Sequence, residues 1–486
     1  MEPKWVRLVL ETRGIDVPEI INACELGFGW GLSINLHAAS SKINWYGTDY
    51  NAEQAAWAQK ANIAAGAGAK LFNQSFADFC KRTDLPDFEY ICLHGIWSWV
   101  DDVNRVHIVD FIRKKLKPGG VFYISYDVMP GLAAFLPLRD LLYEFYLTQT
   151  AAEKKAEQGA KAALDIARKL VKANSNYIKA NPSVEFRLQQ VENMPLKVLL
   201  GSYFAQSYFP MNFYQIAKWL EPAGLEYVCP AEYDRPLDDY LTSGEQKELL
   251  DSAPSQPLRE SLRDYMRNQN FRKDIWVKEV SRLSTEQRQS RLSNTQLISL
   301  KHFSEFKDKL ATSRGEATVN PKLMQIIRQS FANGHISSVS DIFAKCDDSV
   351  KFDDVFKVLT FMMQNSQLIP VNDSEVVNQV QEHCLALNRF LIKNKEVDFF
   401  ASPLAGGIMN TDLYNKILMR IVLDNKQEQL WPRLFLEEIT KFGGKFIIDG
   451  ETVDTEKARL EISNQIVQNF TKGFLPVLRW LKVVDK

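Results

Sequence analysis

The chain has 486 residues with 59 Lys+Arg against 60 Asp+Glu, so it exceeds what one hydrophobic core organises and has no net charge that would recruit nucleic acid or an anionic membrane. Its six cysteines, Cys24, Cys80, Cys92, Cys229, Cys346 and Cys384, never form a C-x-x-C pair, which excludes a zinc ribbon or disulfide framework and leaves no metal expected. No run approaches the length of an apolar membrane span, and Met1-Glu2-Pro3-Lys4 lacks the layout of a signal peptide, so the expectation is a cytoplasmic protein without membrane insertion.

From about residue 18 to 126, β-rich runs alternate with helical ones, the pattern of parallel strands joined by crossover helices. Strands are predicted over 20–24, 43–48, 69–72, 90–94 and 121–125, and helices over 32–39, 52–66, 76–81 and 103–116. Pro118-Gly119-Gly120 makes a tight turn into the last strand, since Pro fixes φ and Gly permits the reversal. The fold class is therefore α/β, a doubly wound and mostly parallel sheet, in a first domain over 1–136.

The Ala- and Lys-rich stretch 151–180 predicts one long amphipathic helix, with Leu164, Ala167, Leu170, Val171 and Ile178 on one face and Asn181-Pro182 as its stop. Further helices are predicted over 197–207, 213–223, 245–252 and 258–267, making 137–300 a helical domain, with Ser284–Asn294 as a linker. Three short helical patterns, 322–332, 339–346 and 354–365, precede Leu368-Ile369-Pro370. Their layout suggests a degenerate winged-helix part in an α-rich domain over 301–486.

The chemistry concentrates in Glu25-Leu26-Gly27-Phe28-Gly29-Trp30-Gly31, where a strand enters a glycine-rich turn that opens a helix. Glycines there let backbone approach a ligand, and a helix N-terminus offers free N–H groups. The third glycine of a dinucleotide fingerprint would fall at Leu32, and no G-x-x-x-x-G-K-[ST] is present. S-adenosylmethionine has no phosphate, and its ammonium and sulfonium favour acidic and carbonyl oxygens, which suits Glu25 beside Gly27, Phe28, Gly29 and Gly31. Trp45-Tyr46-Gly47-Thr48-Asp49-Tyr50 ends the second strand with a carboxylate; Asp49, with Tyr50 beside it, is the candidate for the ribose hydroxyls, and capping of the next helix is compatible with that role. At the third tip, Ser75 and the Phe76 backbone N–H, or Asp78, are candidates for the adenine, with helix capping the competing explanation. At the fourth and fifth tips stand His94, Trp97 and Trp99, then Tyr126 and Asp127.

The glycine segment, Trp45–Asp49 and His94-Gly95-Ile96-Trp97-Ser98-Trp99 together resemble bacterial class I S-adenosylmethionine-dependent methyltransferases that bear a methyltransferase regulatory domain. Tyr208-Phe209, the run from Arg267 to Asp274 and Ala401-Ser402-Pro403-Leu404-Ala405-Gly406-Gly407 extend the resemblance over most of the chain. The family includes rickettsial protein-lysine methyltransferases acting on outer-membrane proteins, which implies S-adenosylmethionine as cofactor and a protein lysine as acceptor. Two features depart from it: the tyrosine-containing segment often found ahead of the first strand has no counterpart before Met1-Glu2-Pro3, and the turn after the fifth strand reads Tyr126-Asp127-Val128-Met129-Pro130-Gly131-Leu132. A small-molecule methyltransferase and a non-catalytic interaction protein on the same fold remain the alternatives, and a homodimer is compatible with either.

His94, Tyr126 and Asp127 are the residues expected to orient or deprotonate the acceptor, because the tips of parallel strands line the crevice, and His94 is expected to border the cofactor as well. Trp97 and Trp99 offer faces for a cationic acceptor by cation–π attraction, or else core packing. The segment 258–291 is mildly basic, but 337–370 holds three lysines against five aspartates, so no nucleic-acid partner is expected.

Overall fold

The computed structural model describes residues 1–486 except 154, 232–243, 313–314, 395–396, 408–410, 425, 442–443, 449–450, 454 and 485–486. The chain starts with helix α1 (Pro3–Thr12), which Pro3 opens and the Glu2 carboxylate caps by accepting from the Trp5 N–H at 2.7 Å. Its buried Val6, Val9 and Leu10 lie on one face of a seven-stranded sheet.

That sheet comprises β1 (Asn22–Leu26), β2 (Asn44–Asp49), β3 (Lys70–Asn73), β4 (Phe88–His94), β5 (Leu116–Asp127), β6 (Leu225–Pro230) and β7 (Phe271–Lys278), in the order β3-β2-β1-β4-β5-β7-β6. β1 to β5 are parallel, and β7 runs antiparallel between β5 and β6. Helices α2 (Leu32–Ala39), α3 (Ala52–Ala65) and α4 (Asp102–Lys115) make three of the crossovers. Side chains alternate between two cores: Ala23, Tyr90, Cys92 and Tyr123 face α1, whereas Cys24, Leu26, Ile91, Leu93 and Ile124 face the α4 side. The register of Glu25 with Gly47 and Cys92, and of His94 with Ser125, brings the ends of β1, β2, β4 and β5 to one edge.

The sheet is not complete at residue 136, where the sequence placed a domain boundary. β6 and β7 come from the segment expected to be helical, and β7 pairs with β5 from Val121↔Val277 to Asp127↔Phe271. Buried Arg272 and Asp274 break the apolar run that would have marked β7 as a central strand. The single helix expected over 151–180 is three: α5 (Leu136–Glu153), α6 (Ala156–Lys172), which packs on it as a hairpin, and Asn176–Ala180. The second break falls at Asn174, whose φ is 49°, a left-handed conformation that ends a helix. This insertion has its own core, from Phe135 and Leu138 to Tyr203 and Phe204.

Helices α7 (Phe213–Leu220) and α8 (Gln256–Arg267) pack together beside β6 and β7. The expected linker is a helix, Thr285–Ser293, because Ser284 and Gln287 form a capping box. Arg291 ties it to Glu11 at 3.2 Å and Asp16 at 2.7 Å. Beyond it, Gln296–Ser299 lies between Ser337–Ser338 and Leu368–Pro370 in a three-stranded antiparallel sheet, accompanied by Pro321–Ser330, Val339–Phe343 and Phe352–Gln364. Helix α9 (Ser374–Leu391) then packs on α2 and α3. The Asn372 side-chain amide donates to the Ser40 carbonyl at 3.0 Å, and Ser40 donates to the Gly406 carbonyl at 2.8 Å. The expected Ala401–Gly407 motif is thus a contact between the C-terminal part and the helix that follows the glycine loop. All six cysteines are free thiols. Among the described residues no helix is long and apolar enough to cross a membrane.

Candidate functional site

The loop after β1 turns through Gly27, Gly29 and Gly31, with φ of 72°, 57° and 68°. Close approach fixes the last of these, since a Cβ on Gly31 would lie 2.4 Å from the Ala58 Cβ of α3. Four loop N–H groups are already used. Those of Gly27 and Phe28 donate to the Thr48 carbonyl at 2.9 and 3.2 Å, that of Gly31 to the Phe28 carbonyl at 2.8 Å, and that of Gly29 to Asp49 Oδ2 at 2.8 Å. These four loop N–H groups lie ahead of the first residue of α2; a phosphate would find none of them free, whereas a cationic ligand does not need them. Phe28 turns inward against Gly47 and is 5 % exposed, so its ring supports the loop from below.

Glu25 is buried at the end of β1. Ser33, in the first turn of α2, donates to its Oε1 at 2.5 Å, while Oε2 is buried with no hydrogen-bond partner among the described residues. Burial lifts this carboxyl from the ordinary 4.5 to about 7; the Ser33 bond opposes the shift and the nearby Asp49 carboxylate adds to it. An unpartnered buried carboxylate oxygen is costly unless something completes it. Asp49 is also raised by burial, against two backbone bonds, from the Gly29 N–H and, on Oδ1, from the Asn51 N–H at 2.8 Å. A carboxylate oxygen accepts more than one hydrogen bond, so both oxygens keep capacity toward the crevice. Tyr50 beside it is 79 % exposed. At the third tip Ser75 caps the short helix Phe76–Phe79, accepting from the Asp78 N–H at 3.2 Å and donating to Asp78 Oδ2 at 2.6 Å. Phe76 is half-buried over the α4-side core.

His94 ends β4, its Nδ1 lying 2.8 Å from Ser125 Oγ and 3.3 Å from the Tyr123 hydroxyl. Its ring is open to water at the crevice although protein surrounds it at longer range. Desolvation first, then the charge of the N-terminal ammonium and that of Lys273, lower its pKa to about 4, so this imidazole is neutral at pH 7. Trp97 and Trp99 separate. Trp97 is fully buried beneath Trp219 and Arg105, a core residue, while half-buried Trp99 stacks on Tyr208 with centroids 4.2 Å apart.

The two polar residues ending β5 lie on opposite sides of the sheet. Tyr126 faces away from the crevice into the α4-side core, 1 % exposed, and its hydroxyl donates to Asp274 at 2.6 Å. Its assignment as a catalytic residue is corrected, because strand alternation sends it into a buried ionic network in which Arg272 bonds Asp274, Asp264, Glu260 and the Tyr227 hydroxyl. Asp127 is half-buried at the edge. Burial raises its carboxyl to about 6, opposed by Arg187 and by a hydrogen bond from Tyr208.

Sequence reasoning missed Ser33, Ser125 and Ile96, the last packing so tightly over Gly27 that a Cβ there would lie 2.8 Å from it. The His94–Trp99 run held the signal for Ile96; a lone serine on a helix or strand held none. It also missed the strap 203–211, which crosses the end of β5. The Phe209 N–H donates to the Ser98 carbonyl at 2.8 Å, the Met211 N–H to the Asp127 carbonyl at 3.2 Å, and the Asp127 N–H to Ser98 Oγ at 2.9 Å.

A 3-2-1-4-5-7-6 sheet with an antiparallel seventh strand, a glycine loop after the first strand and acidic groups at the first two tips is the class I methyltransferase fold. The chain matches PKMT2 from Rickettsia typhi, solved in complex with AdoHcy, with a TM-score of 0.68 at 16 % identity over 99 % of this chain and 97 % of that one. Residues 196–278 match the family model described as a predicted methyltransferase regulatory domain, a segment that contains the whole strap and both β6 and β7. The uncharacterized protein sll1526 of Synechocystis sp. is 29 % identical over 95 % of this chain and 91 % of its own length. The uncharacterized protein RP789 of Rickettsia prowazekii is 33 % identical over 136 residues, 26 % of this chain and 24 % of its own. The chain thus has a methyltransferase fold with added helical parts, and one segment of it matches the regulatory-domain model.

Proposed function

We propose that this protein binds S-adenosylmethionine at the edge formed by β1, β2 and β4 and transfers its methyl group to an acceptor, a protein lysine side chain. The observation that carries the reading is the buried Glu25 carboxylate, one oxygen held by Ser33 and the other unpartnered, which fits an α-ammonium. Asp49 would take the ribose hydroxyls, and Tyr50, Ser75 and Phe76 would border the adenine. The neighbouring fold of PKMT2, solved with AdoHcy, supports the same ligand class. When bound, the cofactor supplies an electrophilic methyl carbon on a sulfonium.

The chain's own contribution is binding, orientation and exclusion of water. His94, neutral at pH 7, can hold a polar hydrogen or lone pair at the edge without bringing a charge toward a sulfonium. Asp127 lies beyond it at the end of the next strand and suits an acceptor that arrives charged. The lysine assignment rests on the family resemblance and on this acidic, aromatic end of the crevice.

The test is calorimetric titration with AdoHcy, followed by incubation of cell-lysate fractions with methyl-labelled S-adenosylmethionine. Saturable AdoHcy binding and label in a protein that yields methyl-lysine on hydrolysis are expected. Absence of AdoHcy binding overturns the reading, and label confined to small molecules overturns the acceptor.

A further inference from the structure

We propose that Asp127, Tyr208 and Trp99 form the subsite that receives the acceptor as an alkylammonium group, with Tyr208 and Trp99 as its specificity residues; the proposal rests on the methyl-transfer reading above. The three come from separate pieces of chain. Asp127 ends β5, Trp99 closes the turn Trp97–Trp99 after β4, and Tyr208 lies on the strap.

They are held in place before any ligand arrives. Ser98 links two of the pieces, accepting the Phe209 N–H through its carbonyl and the Asp127 N–H through its hydroxyl. Val128 and Met211 form a parallel bridge one residue beyond. On the other side Arg139 fastens the strap, donating to the Tyr203 carbonyl at 2.9 Å and to the Ala205 carbonyl. Trp99 and Tyr208 stack with planes 21° apart, and Tyr203 meets Trp99 at 68°. A rigid aromatic wall beside a carboxylate costs little to organise on binding, so more of its attraction appears as affinity.

The wall is selective for cations by its chemistry. Two guanidinium groups already lie against its tyrosines, Arg139 at 5.2 Å from the Tyr208 ring centre and Arg187 at 5.7 Å from that of Tyr203. Trp99 is half-buried and keeps part of its surface exposed, and indole is the strongest of the aromatic faces for a cation. Asp127 makes no ion pair within 4 Å among the described residues; its acid form is favoured by burial, and Arg187 pulls the other way. An ammonium placed between Asp127 and Trp99 would give the carboxylate its partner and the indole its cation. A neutral alcohol or thiol would do neither.

The experiment uses the full chain saturated with AdoHcy and two probes, Nα-acetyl-lysine methylamide and its uncharged counterpart Nα-acetyl-norleucine methylamide, followed by saturation-transfer NMR. The lysine probe should bind about tenfold tighter than the norleucine probe. Asp127→Asn, Trp99→Leu and Tyr208→Leu should each bring that ratio close to one, with AdoHcy affinity unchanged in the folded variants. Tyr208→Phe, which removes only the hydroxyl bonded to Asp127, should give an intermediate ratio and covers the case in which the leucine variant does not fold. Equal binding of the probes, no binding of the lysine probe, or a preference that survives in Asp127→Asn overturns the subsite. Should AdoHcy itself not bind, the methyl-transfer reading falls instead, and the same titration without it still reads the subsite.

Discussion

Replacing Glu25 by glutamine tests the cofactor reading through protons as well as affinity. With its carboxyl raised to about 7, Glu25 is about half protonated at neutral pH. A ligand bearing an α-ammonium stabilises the ionised form, so binding must expel a proton wherever the free protein still holds one. AdoHcy affinity should therefore rise roughly tenfold per pH unit below pH 7 and flatten above it. In Glu25→Gln that slope should vanish. The affinity at pH 8 should fall by about 1.5–3 kcal/mol, the scale of a hydrogen bond to a charged group, or roughly ten- to a hundred-and-fifty-fold.

The ligand-free protein gives an independent reading of the same carboxyl. A carboxyl whose pKa is higher folded than unfolded makes the folded state bind more protons between those values, so stability is lost as pH rises from 4.5 to about 7. At 1.36 kcal/mol per pH unit this amounts to about 3 kcal/mol. Glu25→Gln should recover much of it at pH 8. Calorimetry at pH 6, 7 and 8 in two buffers of different ionisation enthalpy measures the released proton directly. PH-independent AdoHcy binding to the wild type, or equal affinity in the variant, would refute the assignment of Glu25 to the ammonium.

Asp49→Ala should weaken AdoHcy by about 1.5–3 kcal/mol, part of it from freeing the Gly29 N–H; a loss of only a few tenths would move the ribose contact elsewhere. Gly29→Ala should stay folded, since its Cβ direction is open apart from Gln54 Oε1 at 4.0 Å, yet lose cofactor affinity, while Gly31→Ala should lower stability by about 2–4 kcal/mol through its contact with Ala58. Denaturant titration beside AdoHcy calorimetry separates the two, and equal stability of the variants would contradict the geometry. On an identified amine acceptor, kcat/KM should rise through about pH 6 as Asp127 ionises, with no inflection near 6.5 from His94, whose pKa is lowered to about 4; persistence of the pH 6 limb in Asp127→Asn would reject this. Tyr126→Phe should cost about 1–3 kcal/mol of stability by stripping a buried bond from Asp274 and leave turnover of the folded protein intact. A tenfold loss of turnover at unchanged stability would return Tyr126 to the site.

The first five strands and their helices were legible because parallel strands buried on both faces must be apolar runs, and because Gly27 to Gly31 and Asp49 sit where such strands end. Helix α2 occurs over the predicted range 32–39. What could not be read depended on partners remote in sequence. β7 carries Arg272 and Asp274 in its middle, which a single-sequence pattern scores against a central strand; only the acids on α8 and the tyrosines of β5 and β6 make that charge tolerable. Tyr126 and Asp127 are adjacent and equally polar, and nothing local says that the pleat sends one into a core and leaves the other at the edge. The helix over 284–294 was lost to a composition argument although its capping box was in view. Tyr208 lay in a segment noted for resemblance, but its contact with Asp127 joins positions eighty-one apart in the chain.

The segment matched by the regulatory-domain model begins at residue 196 and ends at 278, and its physical role follows from where those ends fall. Between them lie the strap with Tyr203 and Tyr208, then α7, β6, α8 and β7 in turn, and the two strands extend the sheet beside β5. The Arg272 network binds β5, β7 and α8 together through Tyr126, Asp274, Asp264 and Glu260. Breaking such a network by removing one partner leaves uncompensated buried charge and costs about 3–5 kcal/mol, so a change in α8 reaches β5 one residue from Asp127. The strap acts on the same point from the other side, since Met211 donates to the Asp127 carbonyl. A unit that supplies two strands of the seven-stranded sheet and the strap across the end of β5 is built into the fold and is not a detachable domain. If the proposed acceptor subsite is right, a substitution that disturbs α8 or the strap should alter acceptor binding through Asp127 and Tyr208 while leaving Glu25 and Asp49, on the far side of β4, as they are.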